Sequence, residues 1–131
     1  MTGDPGLPRI VILGAGFGGS TCASGLRRAT AMVTVIDQRN FHLFQSLLYQ
    51  VVTAALSPTD IAMPIRRILR RQSNASVVLG RVEAVDRGAR TVRTSSGDRP
   101  IAYDCLVVAT GARPSYFGHD DWSRVAPALK R

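Results

Sequence analysis

Short continuous apolar runs recur along the chain and predict strands buried in a parallel sheet. Continuous hydrophobicity, rather than strict alternation, is typical of strands whose two faces are both covered. The runs predict strands over residues 9–13, 33–37, 76–80 and 103–114, the last of which ends in a glycine turn. Residues 14–19 predict a turn and residues 20–29 a helix, so the first two strands and this helix form a β-α-β unit.

Two further patterns complete the predicted secondary structure. Ser57, followed by Pro58 and Asp60, predicts a helix start, and Pro64 predicts a restart or kink in that helix. The arginines of this helix fall opposite its apolar positions; they are Arg66, Arg67, Arg70 and Arg71. Polar and apolar residues alternate over residues 81–94, which predicts an antiparallel ribbon with one wet face.

The charge of the chain is strongly positive. Its 131 residues carry a net charge of +8, and sixteen of the 17 cations are arginine. Such a charge can indicate nucleic acid or a membrane surface as a partner. Because the arginines are spread from Arg9 to Arg131, composition bias explains most of them, and we expect no nucleic-acid partner. The arginine cluster on the predicted helix is expected to be a solvated face, with contact to anionic lipid or a partner protein left open.

No targeting or membrane-spanning segment is predicted. The N-terminal residues lack a basic region followed by an apolar stretch, and no apolar run reaches the roughly 18 residues of a membrane span. A cytoplasmic protein is therefore expected.

Cys22 and Cys105 lie far apart in apolar surroundings, so both are expected to be packed thiols rather than a disulfide or a metal site.

A glycine fingerprint follows the first predicted strand. Gly14, Gly16 and Gly19 match G-x-G-x-x-G, in which the glycines permit a sharp exit from the strand, approach of a pyrophosphate and close packing of helix on strand, respectively. The N-terminus of the helix offers free N–H groups and a positive dipole end to the phosphates. Asp37 follows Gly14 by 23 positions, close to the roughly 20 expected for a carboxylate that binds a ribose 2′-hydroxyl. The sequence therefore predicts a dinucleotide site.

Two other nucleotide-dependent classes do not fit these residues. A Walker A loop requires Lys before its Ser or Thr, but Gly19 is followed by Ser20 and Thr21. A short-chain dehydrogenase requires Tyr with Lys four positions later, and none of the 3 tyrosines has one. These absences argue against a nucleoside triphosphatase and against that class of dehydrogenase.

The end of the chain favours FAD over NAD. The run "VVATGARP" places Ala109, Thr110 and Gly111 after a predicted strand, and it resembles the second signature of the glutathione-reductase-like flavoproteins.

Residues 35–66 resemble the type II NADH dehydrogenases, which are single-subunit NADH:quinone oxidoreductases that pump no protons. The matching positions are Asp37, Arg39, Asn40, His42, Phe44, Gln45, Leu47, Leu48, Tyr49 and Gln50. The resemblance covers about residues 9–115.

This resemblance implies a Rossmann-like FAD-binding domain of the α/β class. Its parallel sheet would carry helices on both faces, an antiparallel β-meander would follow, and the domain would be incomplete in this chain. We expect residues 1–8 to be a disordered lead-in and residues 9–115 to be the N-terminal part of the FAD-binding domain. Residues 116–131 would be the truncated start of the following region.

The resemblance also implies which residues bind FAD. The glycine loop would run along the pyrophosphate through Gly14, Gly16, Phe17, Gly18 and Gly19. Asp37 would bind the adenosine ribose, Arg39 would lie beside the adenine, and Val82 would offer its backbone near the adenine. Residues 47–50, among them Leu48, would approach the isoalloxazine. The A-T-G turn would cross close to the phosphates through Ala109, Thr110 and Gly111. Ser46 stands where the family has proline, which loosens the backbone of the flavin-side loop.

The implied reaction has two halves: NADH gives hydride to FAD, and reduced FAD passes electrons to a membrane quinone. No residue is identified as a catalytic acid or base, and no metal site is predicted. Because the 131 residues lack a second glycine fingerprint for NADH, the isolated chain is expected to be inactive.

NADH and quinone would be partners of a longer parent protein. A homodimer and peripheral contact with the cytoplasmic face of the membrane are further expectations. A stand-alone FAD-binding module, a non-functional truncation and a ferredoxin or rubredoxin reductase are the alternatives.

Overall fold

Strands and short helices alternate along the chain in the computed structural model, which describes residues 6–112 and 115–126. The strands in those residues are β1 (Arg9–Leu13), β2 (Met32–Asp37), β3 (Phe41–Leu43), β4 (Ala62–Pro64), β5 (Ala75–Leu79), β6 (Val82–Asp86), β7 (Thr91–Thr94), β8 (Gly97–Ala102) and β9 (Cys105–Val108). The α-helices are α1 (Phe17–Gly25), α2 (Leu48–Val52), α3 (Pro58–Ile61) and α4 (Ile65–Leu69). Short 3₁₀ helices lie at Leu26–Arg28, Gln45–Leu47 and Asp120–Arg124.

Four parallel strands form the central sheet in the order β5-β2-β1-β9. Strand β1 pairs with β2 on one side and with β9 on the other, so it lies inside the sheet. Because the pairings are parallel, the carboxyl ends of these strands meet at one edge. The predicted α/β fold class, a Rossmann-like parallel sheet with a separate antiparallel meander, is confirmed.

The two faces of the parallel sheet are covered by different kinds of element. Helices α1 and α4 cover one face, whose core is Ile12, Ala15, Ala23, Val33, Val35, Ile65 and Leu69. The antiparallel sheet β6-β7-β8 covers the other face, whose core is Val11, Leu13, Ile36, Val92 and Tyr103. The sequence predicted helices on both faces; within the described residues the meander occupies the second layer instead, because its apolar face buries the sheet as a helix would.

Helix α1 begins three residues earlier than the sequence predicted. Gly16 is its N-cap, with φ −67° and ψ −167°, so the last glycines of the fingerprint lie in the first helical turn. The helix ends at Gly25, and a 3₁₀ helix continues to Arg28. Glycine has a low helix propensity, so the sequence pattern predicts a helix start after the glycine run. Packing of the first turn against β1 overrides that preference.

The predicted helix start at Ser57 is confirmed as a capping box. Ser57 Oγ accepts from the Thr59 N–H at 3.3 Å, and Asp60 Oδ2 accepts from the Ser57 N–H at 2.8 Å. Strand β4 then interrupts the helix, and Pro64 is the N-cap of α4. The apolar side of α4 is buried, and its arginines and the two that follow its end are exposed, as expected for a solvated face.

Strand β9 is an edge strand rather than the buried strand predicted. It pairs with β1, and no strand among the described residues pairs with its other side. Val108 is 68% exposed and Cys105 is exposed, so the prediction of a packed thiol is wrong for Cys105. Cys22 is partly buried against the helical face of the core, as expected. Hydrophobicity indicates a preference for burial, but it does not determine how many neighbours a strand finds.

The sequence predictions for the chain ends fall partly outside the described residues. This holds for residues 1–5 of the lead-in, residues 113–114 of the last glycine turn and residues 127–131 of the C-terminal region. The predicted domain boundaries therefore stay predictions. Within residues 6–112 and 115–126, no helix has the length and apolar character needed to cross a membrane.

An exposed ion pair fixes the start of β1 against the chain that enters β9. Arg9 donates to the Asp104 carboxylate from its backbone N–H at 2.7 Å and from Nε and Nη2 at 3.0 Å each. The Asp104 N–H donates to the Arg9 carbonyl oxygen at 2.8 Å. Hydrogen bonds from the Arg9 side chain and backbone lower the pKa of the Asp104 carboxyl from 3.8 to about 2. Bidentate pairing of this kind fixes geometry as well as charge.

Asp104→Asn should make the protein easier to unfold at neutral pH and less sensitive to acid. A carboxyl whose pKa is lower in the folded state stabilises that state above its unfolded pKa of about 3.9 and ceases to do so as the pH falls through about 2. Urea unfolding of both proteins across this range measures the effect, and their difference should shrink between about pH 4 and about pH 2. Asp121→Asn, at another exposed aspartate, is the control. A difference that stays constant in acid would contradict the assignment.

Candidate functional site

The glycine loop lies at the edge of the parallel sheet where β1, β2 and β9 end. The turn after β9 passes directly beside this loop, because the Ala109 N–H donates to the Leu13 carbonyl oxygen at 2.8 Å. A cavity of about 640 Å³ opens between the glycine loop, the end of β2, strand β3 and the segment that follows β9. This is the crevice at the carboxyl ends of the strands, where open α/β sheets bind ligands.

Two glycines of the loop are required by close backbone contacts. Gly14 has φ +98°, and a Cβ there would overlap the carbonyl oxygen of Ala109. A Cβ on Gly19 would overlap the carbonyl oxygen of Gly14, so the first turn of α1 packs directly on the end of β1. Gly16 differs, since a Cβ there would meet nothing within 4 Å. Gly14 and Gly19 therefore shape the loop, and Gly16 leaves open space above it.

The Asp37 carboxylate ties the end of β2 to the glycine loop. Its Oδ2 accepts from the Ala15 N–H at 2.6 Å, and its Oδ1 accepts from the Arg39 N–H at 2.7 Å. The Gly14 N–H donates to the Ile36 carbonyl oxygen at 2.7 Å, which adds a backbone link between the same two segments. A carboxylate has about four acceptor positions, so Asp37 keeps acceptor capacity toward the cavity.

The N-terminus of α1 faces the cavity through the glycine loop. Its N-cap, Gly16, has no side chain that could satisfy the free N–H groups of the first turn, and no acidic residue lies in that turn. Gly16, Phe17 and Gly18 all line the cavity. The combination of free N–H groups and a positive dipole end is suited to an anion such as a phosphate.

Aromatic side chains form another wall of the cavity. Phe17 meets the His42 ring edge-on, with 4.8 Å between centroids and 88° between planes, and it meets Phe44 at 5.3 Å and 75°. His42 Nδ1 lies 3.0 Å from the Ala15 carbonyl oxygen. His42 is thus hydrogen-bonded to the glycine loop.

The structure places most of the predicted site residues around this one cavity. Those that line it are Gly14, Gly16, Phe17, Gly18, Asp37, Arg39, Ala109, Thr110 and Gly111. Gly19 lies behind the loop, Leu48 lies in α2, and Val82 lies in β6 against the meander side of the core, so these three do not line the cavity. The assignment of all twelve predicted residues to FAD stays a prediction.

Several lining residues were not among the predicted FAD-binding residues. They are Ala15, Gln38, Phe41, His42, Leu43, Gln45, Ala112, Tyr116 and Ser123. Strand β3 contributes three of them because it pairs with β4 beside the loop, a pairing that no periodic pattern in the sequence announces. Tyr116 and Ser123 come from the segment after the A-T-G turn, for which the sequence predicted no element.

The parallel sheet and the glycine loop at the ends of its strands define a dinucleotide-binding domain of the Rossmann type. The sequence profile of the pyridine nucleotide-disulphide oxidoreductase family matches residues 8–125. The chain belongs to this family.

Curated relatives narrow the similarity. The chain is 47% identical to the type II NADH:quinone oxidoreductase NdhA of Mycobacterium tuberculosis over 98% of its own length and 29% of that protein. It is 43% identical to the oxidoreductase Ndh of the same organism, over 93% of this chain and 27% of that one. The predicted resemblance to type II NADH dehydrogenases is confirmed. The chain spans less than a third of the length of these relatives.

Solved structures share the fold. The sulfide:quinone oxidoreductase of Aquifex aeolicus matches with a TM-score of 0.76 and 30% identity, over 83% of this chain and 25% of that one. NDH2 of Plasmodium falciparum in complex with NADH matches with a TM-score of 0.75 over 85% of this chain and 24% of that one, and at 24% identity it supports the fold alone.

Gly19→Ala should destabilise the protein, because its Cβ would overlap the backbone carbonyl of Gly14. Overpacking of this kind costs about 1–3 kcal/mol of unfolding free energy. Gly25→Ala is the matched control: it lies in the same helix with nothing within 4 Å of its Cβ, and it should be neutral or stabilising by up to about 1 kcal/mol. Urea unfolding measures both variants. Equal midpoints for the two would show that the helix does not pack on β1 as described.

Proposed function

We propose that this chain is the FAD-binding part of a type II NADH:quinone oxidoreductase. One observation supports this most strongly: the glycine loop, the Asp37 carboxylate and the A-T-G turn, which are far apart in sequence, line a single cavity. The identity to the two mycobacterial oxidoreductases extends over nearly the whole chain and supports the same function.

The residues around the cavity fit FAD chemically. A volume of about 640 Å³ lies within the usual range of about 300–1,000 Å³ for ligand pockets. The open space above Gly16 and the free N–H groups of α1 suit the pyrophosphate, and Asp37 suits a ribose hydroxyl. Arg39 and the A-T-G turn would complete the contacts to the adenosine diphosphate half.

FAD, when bound, would supply the transfer of hydride from NADH and of electrons to a quinone. The contribution of this chain would be to bind and orient the adenosine diphosphate half and to exclude water from it. We assign no acid or base to the reaction among the described residues. Because the 131 residues contain one glycine fingerprint, we expect turnover to require the longer polypeptide that the relatives have.

Membrane and subunit contacts belong to the same proposal. A quinone dissolved in lipid requires the enzyme to reach a membrane surface, and the exposed arginines of α4 are a face that anionic lipid could neutralise. Peripheral attachment at the cytoplasmic face and a homodimer are the arrangements we propose for the longer protein.

Thiol chemistry is disfavoured. A reaction through a disulfide or persulfide would require a cysteine at the cavity, but Cys22 and Cys105 are both free and neither lines it. Within the described residues, no group of three or more His, Cys, Asp or Glu side chains is placed to hold a metal ion.

The purified chain should bind FAD and not FMN, because FMN lacks the adenosine and the second phosphate that the site would hold, and ADP should compete with FAD. Gly16→Val should weaken FAD binding by about tenfold or more, which corresponds to about 1.4 kcal/mol, since its side chain would occupy the open space above the loop. Flavin fluorescence titration measures all of these affinities.

Gly97→Val is the control, because Gly97 begins β8 away from the cavity and also has open space at its Cβ. A folded chain that binds FMN as well as FAD, or that binds neither, would contradict the proposed site. The activity is tested on the longer polypeptide by NADH-dependent reduction of a soluble quinone analogue.

A further inference from the structure

Three side chains from three different elements hold the backbone of Ala15 in the middle of the glycine loop. Its N–H donates to Asp37 at the end of β2, and its carbonyl oxygen accepts from Ser20 Oγ of α1 at 2.8 Å and lies 3.0 Å from His42 Nδ1 of β3. Both lone pairs of that oxygen are therefore used. Ala15 is 2% exposed, so these bonds have little competition from water.

His42 reaches this peptide from outside the parallel sheet. Strand β3 pairs antiparallel with β4, with His42 opposite Met63, and the Phe44 N–H donates to the Ile61 carbonyl oxygen at 2.8 Å. The edge-on contact with Phe17 restrains the imidazole from a second side. We call β3 and β4 together the β3-β4 arm. The arm is thus fastened to the glycine loop by one hydrogen bond and one aromatic contact.

The chemistry of the acceptor determines which nitrogen of His42 carries a proton. A carbonyl oxygen can only accept, so Nδ1 must be the donor. Nδ1–H is present both in the corresponding neutral tautomer and in the imidazolium ion. The hydrogen bond therefore does not depend on the charge of His42. The charged side chains that line the cavity with it are Asp37 and Arg39.

We propose that His42 is a positioning residue for FAD. Its Nδ1–H holds the Ala15 carbonyl oxygen, so that the loop keeps its N–H groups directed toward the pyrophosphate before the cofactor enters. Donors that are already in place bind without the cost of ordering the loop. This proposal rests on the proposed function for the identity of the ligand, but the fastening of the loop is a property of the protein alone.

Three substitutions at His42 test the proposal in the full chain. The amide nitrogen of Asn falls near the position of Nδ1, whereas that of Gln falls near the position of Nε2. We therefore expect His42→Ala and His42→Gln to weaken FAD binding by about tenfold, the value of one hydrogen bond, and His42→Asn to retain most of the affinity. His119→Ala is the matched control, because His119 stacks on Trp122 and does not line the cavity.

Hydrogen exchange gives a second measurement that needs no FAD. The amides of Gly14 and Ala15 donate to the Ile36 carbonyl oxygen and to Asp37, so their protection reports opening of the loop. They should exchange faster in His42→Ala and His42→Gln and at the wild-type rate in His42→Asn. If the wild-type protein binds no FAD, the proposed function fails, and the exchange rates still test the fastening of the loop.

The pH dependence separates positioning from charge. The ratio of wild-type to His42→Ala affinity should stay constant between about pH 5 and about pH 8, because Nδ1–H is present in both the neutral and the charged imidazole. A ratio that falls toward one at high pH would assign the role to the imidazolium charge and overturn the proposal. Unchanged exchange and affinity in His42→Ala, or rescue by Gln rather than Asn, would also overturn it. If His42→Ala does not fold, the comparison of Asn with Gln decides.

Discussion

The close approach of three backbone segments at one edge of the parallel sheet is the constraint on which the cavity depends. Strand β1 can leave the sheet beside the turn after β9 because Gly14 has no Cβ to meet the Ala109 carbonyl. Helix α1 can start directly on the end of β1 because Gly19 has no Cβ to meet the Gly14 carbonyl. Side chains at either position would push these segments apart and remove the surface that lines the cavity.

The order of the strands follows from how the chain returns to this edge. The meander packs over one face of the sheet through Val92 and Tyr103 and leads the chain into β9 beside β1. The ion pair of Arg9 with Asp104 fixes that pairing at its start, and the Ala109 N–H fixes it at its end. The glycine loop and the A-T-G turn, which are almost a hundred positions apart in the sequence, are thereby held in contact.

Membership of the pyridine nucleotide-disulphide oxidoreductase family and the geometry of the cavity give one consistent account of the chain. In the proposed function, the cavity would hold the phosphate end of a dinucleotide rigidly, through backbone groups rather than through charged side chains. The β3-β4 arm adds to this rigidity, because His42 and Phe17 connect it to the loop. A site built in this way suits a cofactor that stays bound while substrates exchange.

The sequence by itself determined the parallel strands, the glycine loop, the helix start at Ser57 and the position of Asp37 at the end of the next strand. These features depend on residues close in the chain, where periodicity, turn chemistry and spacing act directly. Only the tertiary structure decided that the meander rather than a helix covers the second face, that β9 is an edge strand with Cys105 exposed, and that His42 holds the Ala15 carbonyl. Those outcomes depend on which distant segments meet, and local hydrophobicity carries no information about the partner that a buried surface or a hydrogen-bond donor will find.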